Sequence, residues 1–245
     1  MRNSPTHQHD ILNDEMGEMT DYYSQKLSGL LLKRVYDVAP LRIKQYLDAE
    51  VEHVQNKIHA GDLVLELGCG YGRILPRLAA KAGWVVGIDT SIPTLKLGQE
   101  ELRTLQNCSL VRMNALKLSF PDQTFNCVVC IQNGISAFHV DQRALIAESV
   151  RVTRVGGIVL FSSYSDKIWK HRLGWFELQS KLGLLGEIDY NKTMDGIIAC
   201  KDGFTTTTVC SEDFRRLTAD LNASVETLEA DESSVFCEII PKTRL

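Results

Sequence analysis

The sequence predicts an α/β fold in which helices cover both faces of a mainly parallel β-sheet. Between residues 63 and 162, short apolar runs typical of buried strands alternate with segments of helical periodicity. One run, 63–67, leads directly into glycines at every second position and then into a helix-like segment. In an open α/β sheet, a glycine-rich turn at the carboxyl end of a strand is a common binding place for nucleotides.

Two helices are predicted ahead of the first strand. Apolar residues recur at helical spacing from about residue 21 to residue 58, and Pro40 divides this stretch. The elements that follow are strands at 63–67, 84–89, 110–113, 127–131 and 157–162, and helices at 73–82, 93–105 and 141–153. Ser91 and Asp141 are candidate N-caps for the last two of these helices.

The C-terminal part departs from this simple alternation. Its predicted elements are a hairpin of 197–201 and 204–209, a helix of 211–221, and strands at 225–228 and 235–240. Asp202-Gly203 supplies the tight turn of the hairpin, and Ser211 is the expected N-cap of the helix. Residues 164–208 are therefore an insertion between the fifth strand and the closing helix.

The composition fits one globular α/β domain. The chain has 245 residues, of which 44% are hydrophobic and 24% are charged. A formal net charge of −4 gives no electrostatic reason to expect a nucleic-acid partner. The seven cysteines are odd in number and scattered, which favours reduced thiols over a disulfide framework.

We expect a cytoplasmic protein with neither a membrane partner nor a metal site. The sequence shows no secretory signal and no apolar run approaching the ~20 residues of a membrane span. His7 and His9 could bind a metal, but they lie in a terminal segment that is expected to be frayed, and we therefore expect no metal site there. Cys127 and Cys130 lie on a predicted strand that directs their thiols to opposite faces. Both of these cysteines are therefore expected to be buried and structural.

The spacing of the glycines separates several kinds of nucleotide site. A dinucleotide site has the pattern G-x-G-x-x-G, whereas Gly68, Gly70 and Gly72 are spaced one residue tighter. Glu66, inside the strand, would repel a pyrophosphate but attract an amino group. A P-loop is excluded because no Gly-Lys-Ser/Thr follows. Asp89 can accept both hydroxyls of a ribose, and its alternative role is to cap the next helix.

Four short motifs stand in order along the first two thirds of the chain. They are E-L-G-C-G-Y-G at 66–72, G-I-D-T-S at 87–91, L-S-F-P-D-Q-T-F at 118–125 and R-V-G-G at 154–157. On these motifs the chain resembles the class I S-adenosylmethionine-dependent methyltransferases over about residues 60–165. The resemblance implies a seven-stranded, mostly parallel Rossmann-like sheet whose last strand is antiparallel. It also implies an N-terminal helical cap and a small insertion after the fifth strand.

The resemblance implies S-adenosyl-L-methionine as the cofactor. The residues that it places around the cofactor are Glu66, Gly68, Cys69, Gly70, Gly72, Asp89, Thr90, Asn114, Ala115, Leu116, Ile131 and Gln132. Asp89 would bind the ribose, and Glu66 would face the methionine part. Members of the family often have Asp where this chain has Asn114, whose side chain can still accept a hydrogen bond from the adenine amino group.

The resemblance also implies that the N-terminal helix folds over the cofactor, where an aromatic side chain of this helix could face it. The candidates are Tyr22, Tyr23 and Tyr36, and Tyr23 is included among the predicted cofactor-binding residues. An aromatic face near a sulfonium contributes ~0.5–2 kcal/mol. Each of these tyrosines is equally compatible with ordinary packing in the core.

The sequence narrows the methyl acceptor only by exclusion. The segment 131–134, Ile-Gln-Asn-Gly, lacks the Pro-Pro-aromatic motif of enzymes that methylate exocyclic base amines. Aromatic and acidic side chains of the insertion instead suit a small organic molecule. His139 and His171 are candidate general bases, because imidazole titrates near neutrality, although each could be a solvated surface residue.

The predicted function is transfer of a methyl group from S-adenosylmethionine to a small molecule by in-line displacement, which alignment of the reactants alone can accelerate. The alternatives are an acceptor on a protein or tRNA, a catalytically silent partner subunit that binds the cofactor, and an NAD-dependent oxidoreductase. We expect a monomer or homodimer. The predicted division of the single domain is a flexible tail (1–19), a helical cap (20–60), the cofactor-binding core (61–163), the acceptor-side insertion (164–208) and the closing helix and strands (209–245).

Overall fold

A computed structural model describes residues 22 and 26–243 of the chain. Two helices precede the sheet, α1 (Leu30–Asp37) and α2 (Leu41–Gln55). Pro40 is the N-cap of α2, as expected from a residue that has no N–H to donate inside a helix. The buried side of α2 carries its apolar residues at helical spacing and also one acid, Glu50.

The sheet contains seven strands in the order β3-β2-β1-β4-β5-β9-β8. The strands are β1 (Leu63–Leu67), β2 (Trp84–Asp89), β3 (Cys108–Arg112), β4 (Phe125–Cys130), β5 (Thr153–Tyr164), β8 (Ala223–Ala230) and β9 (Ser234–Pro241). Strands β1 to β5 pair in parallel, and β9 runs antiparallel to both β5 and β8. The predicted mostly parallel sheet with an antiparallel last strand is therefore confirmed.

Helices lie on both faces of this sheet. They are α3 (Leu75–Ala79), α4 (Ile92–Glu101), α5 (Gly134–Ala137), α6 (Gln142–Val152) and α8 (Ser211–Thr218). One apolar cluster joins α2, α3 and α4 to one face, and a second joins α6 and α8 to the other. Cys127 belongs to the first cluster and Cys130 to the second, and both are buried. Their expected placement on opposite faces is therefore correct.

The segment between β5 and α8 adds a small structure of its own. It contains a 3-10 turn (Asp166–Ile168), α7 (Trp169–Lys181), and the antiparallel pair β6 (Ile198–Ala199) and β7 (Thr205–Thr206). A third apolar cluster packs this segment against α1 and α2, and it includes Val35, Tyr46, Trp175 and Phe204. Among the described residues, no helix is long and apolar enough to cross a membrane.

Several predicted boundaries differ from the structure. The helix predicted at 73–82 is reduced to α3, because residues 71–74 continue the glycine-rich turn. Asp141 caps α6 as predicted, and its carboxylate accepts a hydrogen bond from the Ala144 N–H at 3.0 Å. Ser91 occupies the N-cap position of α4, but its hydroxyl contacts the Thr94 hydroxyl instead of a backbone N–H.

The predicted cap at Ser211 is wrong by one residue. Ser211 is the first residue of α8, and Cys210 is the N-cap. The Asp213 carboxylate accepts the Cys210 backbone N–H at 3.0 Å, which makes the acidic half of a capping box. The acid stands three positions after the cap, and that spacing is the signal in the sequence.

The two helix termini predict different effects on stability. Asp141→Ala removes a side-chain cap and should lower the free energy of unfolding by about 1 kcal/mol. Ser211→Ala removes no capping bond and should change it by less than ~0.5 kcal/mol. Urea unfolding followed by circular dichroism measures both values. Equal losses in the two variants would contradict the assigned caps.

Candidate active site

A cleft opens at the carboxyl ends of β1, β2, β3 and β4. It encloses about 1230 Å³ of empty space, including its open mouth. Its walls are the glycine-rich turn after β1, the ends of β2 and β3, the segment after β4, and side chains of the N-terminal helices. In the sheet, β2 and β3 lie on one side of β1, and β4 and β5 lie on the other. The cleft lies at this change of direction, which is the usual binding place in an open α/β sheet.

The glycine-rich turn forms the floor of the cleft. Gly68 and Gly70 both have positive φ angles, 70° and 57°, which favour glycine over other residues. The Gly70 N–H donates to Asp89 Oδ2 at 2.9 Å, so that the end of β2 fixes the turn after β1. Gly72 faces away from the cleft, and a Cβ there would lie 2.5 Å from Leu102 of the segment after α4. Its role in the structure is close packing.

Asp89 joins three parts of the site. While Oδ2 holds Gly70, Oδ1 accepts the backbone N–H of Ser91 at 2.8 Å. Asp89 is half-buried and lines the cleft, and each oxygen of a carboxylate can accept more than one hydrogen bond. This arrangement suits a vicinal diol such as that of ribose.

Glu66 is the second acid of the cleft. It lies inside β1 and is only 7% exposed. Burial is the main cause that raises the pKa of Glu66 to about 8; Arg73 acts in the opposite direction, and Asp89 adds to the increase. Among the described residues, Glu66 Oε2 is buried without a hydrogen-bond partner. A buried acceptor of this kind is costly unless something donates to it. A ligand ammonium group would meet that need.

Arg73 provides a positive charge on the same side of the cleft. Its guanidinium hydrogen-bonds the Gln132 side-chain oxygen, and its Cζ lies 4.2 Å from the centre of the Tyr36 ring. Tyr36 also makes edge contacts with Tyr71 and lies 6.2 Å, centre to centre, from Trp175. Tyr36 of α1 and Tyr71 of the glycine-rich turn therefore supply an aromatic wall next to the charged end of the cleft, whereas Trp175 packs against Tyr36 without lining the cleft.

The far end of the cleft is mostly apolar. Met113, Ala115, Leu116, Phe138 and Val140 line it. Asn114 also lines it, and its side-chain oxygen accepts the Leu116 N–H at 2.8 Å. A slot with apolar walls and a few polar edges is the usual surrounding of a flat heterocycle.

The segment after β4 has an uncommon backbone. Gln132 and Asn133 both have positive φ angles, 58° and 65°, although neither is glycine. Such conformations persist where surrounding contacts fix them. The Asn133 side chain is held by the Ser163 hydroxyl at 2.7 Å, and it donates to Thr206 Oγ1 and to the Thr207 carbonyl. Gln132 is thereby presented to the cleft.

Most of the predicted cofactor residues line this one cleft. They are Glu66, Gly68, Cys69, Gly70, Asp89, Thr90, Asn114, Ala115, Leu116, Ile131 and Gln132. Gly72 lies behind the turn, and Tyr23 falls outside the described residues. Of the other tyrosine candidates, Tyr36 lines the cleft, whereas the Tyr22 hydroxyl donates to Asp202 in the segment after β6.

The two predicted base candidates lie elsewhere. His139 and His171 are exposed, and neither is among the described residues that line the cleft. Their catalytic role stays a prediction. Sequence reasoning missed Arg73 and Phe138, which do line it. The position of Arg73, directly after the last glycine of the turn, is the one sequence signal for its role. No group of three His, Cys, Asp or Glu residues in the described part of the chain is arranged to hold a metal ion.

Comparisons with known proteins agree with this geometry. Residues 64–157 match a family model described as a methyltransferase domain. The chain is 37% identical over 117 residues to a ubiquinone/menaquinone biosynthesis C-methyltransferase UbiE of Blochmanniella floridana. It is 34% identical over 150 residues to a demethylmenaquinone methyltransferase of Thermobifida fusca. These alignments cover 45% and 59% of this chain, and 45% and 61% of the relatives' own lengths.

A solved structure shows the same fold over nearly the whole chain. It is a putative S-adenosylmethionine-dependent methyltransferase of Methanococcus maripaludis, with a TM-score of 0.63 and 14% identity. The alignment covers 94% of this chain and 99% of that one. The sheet order and the position of the glycine-rich cleft agree with the Rossmann-like fold of that structure. Residues 64–157 therefore carry a methyltransferase domain, and S-adenosyl-L-methionine is the cofactor that this similarity implies.

Asp89 gives the first prediction for the site. Asp89→Ala should weaken binding of S-adenosylhomocysteine by about 1–3 kcal/mol, because the ribose hydroxyls and two backbone N–H groups lose their acceptor. Isothermal titration calorimetry measures the change. Asp122→Ala, at an exposed carboxylate distant from the cleft lining, is the matched control. Unchanged affinity in Asp89→Ala would show that Asp89 serves only the turn.

Glu66 gives a prediction about pH. Free Glu66, with its pKa raised to about 8, is mostly protonated at pH 7. An ammonium group bound beside it favours the carboxylate, so binding of S-adenosylhomocysteine at pH 7 should release a proton. Affinity should therefore rise as the pH increases from 6 toward 8. Calorimetry in buffers of different ionisation enthalpy measures the proton release. Glu66→Gln should abolish it, and a release that persists in this variant would contradict the assignment.

Proposed function

We propose that this protein transfers a methyl group from S-adenosylmethionine to a small-molecule acceptor. The observation that carries the proposal is the single cleft in which Glu66, Asp89 and Asn114 stand at the ends of β1, β2 and after β3. An ammonium group, a ribose and an adenine require these three kinds of acceptor. A dinucleotide would place its pyrophosphate beside the acidic Glu66, and a nucleoside triphosphate would find no P-loop lysine. Neither ligand therefore suits this cleft.

The Oε2 atom of Glu66, which has no hydrogen-bond partner among the described residues, supports the fit of the cofactor. In the proposed arrangement, Glu66 accepts from the ammonium group of the methionine part, and the nearby Arg73 faces its carboxylate. Asp89 holds the ribose hydroxyls. Asn114 and the apolar residues around it hold the adenine. When bound, the cofactor supplies an electrophilic methyl group on a sulfonium. The neutral thioether that remains after methyl transfer is a good leaving group.

The protein contributes alignment and exclusion of water. Ile131 and Gln132 follow β4, and both line the cleft. Holding an acceptor in line with the donor can lower the barrier by ~7–11 kcal/mol without proton transfer. A general base is required only when the acceptor must lose a proton at the point of attack. His139 and His171 remain candidates for that role.

For the acceptor, we propose an electron-rich ring that is methylated at carbon. The support is the printed function of two relatives, one a C-methyltransferase of quinone biosynthesis and the other a demethylmenaquinone methyltransferase. The aromatic wall of Tyr36 and Tyr71 is also suited to a planar acceptor. The second candidates are a protein or tRNA group and a catalytically silent partner subunit.

A panel of acceptors tests the function. We expect S-adenosylhomocysteine to form when the protein is mixed with S-adenosylmethionine and a demethylated quinol or a related phenol. Mass spectrometry and NMR of the product should show a new C–CH₃ bond. Asp89→Ala should reduce turnover at limiting cofactor more than Asp122→Ala does.

The alternatives give other outcomes. Turnover only with protein or tRNA would replace the small-molecule acceptor. Cofactor binding without any turnover would favour the partner-subunit alternative. Binding of NAD in place of S-adenosylhomocysteine would overturn the proposed function as a whole.

A further inference from the structure

A carboxyl group is buried directly behind the cleft. Glu50 lies on α2, near the middle of the helix, and has 0% exposure. It does not line the cleft, and no part of the proposed chemistry uses it. Burying a carboxyl group is unfavourable unless donors surround it. The hydrogen-bond partners of Glu50 therefore indicate which parts of the fold this side chain holds together.

Glu50 accepts hydrogen bonds from three separate parts of the fold. Its Oε1 accepts from the Ser234 hydroxyl of β9 at 2.6 Å. Its Oε2 accepts from the Ser162 hydroxyl of β5 at 2.8 Å and from the backbone N–H of Gln132 at 2.6 Å. The Gln132 N–H is shared with Ser162 Oγ, at 2.8 Å. One side chain thus ties α2 to the ends of β4 and β5 and to the start of β9.

The Gln132 contact is the one that reaches the site. Gln132 and Asn133 hold left-handed backbone conformations that L-residues rarely adopt, so external contacts must fix them. The Asn133 side chain is fixed by other groups, whereas the Gln132 N–H depends on Glu50 and Ser162. The Gln132 side chain then extends along the cleft to Arg73, and its Nε2 lies 3.5 Å from the Leu47 carbonyl.

We propose that Glu50 is a positioning residue, whose carboxyl group fixes the backbone of Gln132 and thereby sets the wall of the cofactor cleft. The proposal rests on the cofactor site described above. Titratable groups that face Glu50 are Tyr46 on its own helix, Tyr164 of β5 and Cys130 of β4. Burial raises the pKa of Glu50 to about 7, and the donors Ser234, Ser162 and Gln132 are among the groups that act in the opposite direction.

The chain offers a matched control. Glu238 of β9 is also a buried carboxylate, 6% exposed, and it also ties the region of α2 to β9. It accepts from His53 and Lys57, each at 2.7 Å, but it makes no contact with Gln132 among the described residues. A purely structural role for Glu50 would make its removal resemble the removal of Glu238.

The experiment compares three variants by affinity and by amide exchange. Glu50→Met keeps the length of the side chain but removes both oxygens, and it should weaken S-adenosylhomocysteine binding by about tenfold or more. Glu50→Gln keeps an oxygen that can accept the Gln132 N–H and should restore affinity to within about threefold of the unmodified protein. Glu238→Gln should lower stability yet leave affinity within about twofold.

Hydrogen exchange at the Gln132 amide provides the second readout. The amide should exchange faster in folded Glu50→Met than in the unmodified protein, and it should stay protected in Glu238→Gln. If Glu50→Met retained both affinity and protection, the proposal would be overturned. If Glu50→Met did not fold, Ser162→Ala would replace it, because that change removes the other acceptor of the Gln132 N–H and a donor to Glu50.

Failure of the proposed function would give a different result. In that case the unmodified protein itself would not bind S-adenosylhomocysteine. The protection of the Gln132 amide would still distinguish Glu50→Met from Glu238→Gln. Equal protection in the two variants would then reject Glu50 as the residue that fixes this turn.

Discussion

The site depends on the parallel arrangement of β1, β2, β3 and β4. Parallel strands end at one edge of a sheet, so polar side chains that follow different strands meet there. Neighbours on both sides of β1 belong to different parts of the chain, β2 on one side and β4 on the other. The crevice at the carboxyl end of β1 is therefore a direct result of this strand order. The bond from Gly70 to Asp89 then fixes the distance between the first two strand ends.

The charges of the cleft are arranged for a ligand with charges of both signs. Asp89 disfavours the ionised form of Glu66 and so adds to the increase in its pKa, and Arg73 offsets part of this effect. Arg73 is held by Gln132 and by the Tyr36 ring, so the loop after β4 and the N-terminal helices both control where the positive charge lies. A ligand that brought only negative charge would meet two carboxylates. An amino acid that carries a nucleoside brings an ammonium group and a carboxylate to opposite partners.

Much of the fold could be predicted because its signals are local. Strands β1 and β2 have the bounds that the sequence predicts, since glycines and the Ser91-Ile92-Pro93 segment limit them on both sides. The helix after the glycine-rich turn was predicted too long, because turn geometry extends to residue 74 and no side chain in the sequence marks where it ends. The cap at Cys210 was missed because a thiol is an unusual cap, although Asp213 gives the capping-box spacing.

The residues of the site also fall into two groups, those with a local signal in the sequence and those without one. Residues predicted to bind the cofactor stand next to strand ends and could be found by motif, whereas Phe138 reaches the cleft from the end of α5 only through tertiary packing. Its ring packs over Gly68, 70 residues earlier in the chain, and no local pattern contains such a contact. Glu50 did leave a trace in the sequence, because an acid occupies the apolar face of α2 between Tyr46 and Val54. What surrounds that acid depends on the arrangement of β4, β5 and β9.

Cys127 and Cys130, three residues apart on one strand, face different layers of the molecule. Burial raises the pKa of both thiols, so an alkylating reagent reacts with them only after local opening exposes them to water. Cys127 is covered by the layer of α2 and α3, and Cys130 by the layer of α6 and α8. Alkylation of these two thiols therefore reports separately on the two faces of the sheet. The ratio of their labelling rates shows which face opens first.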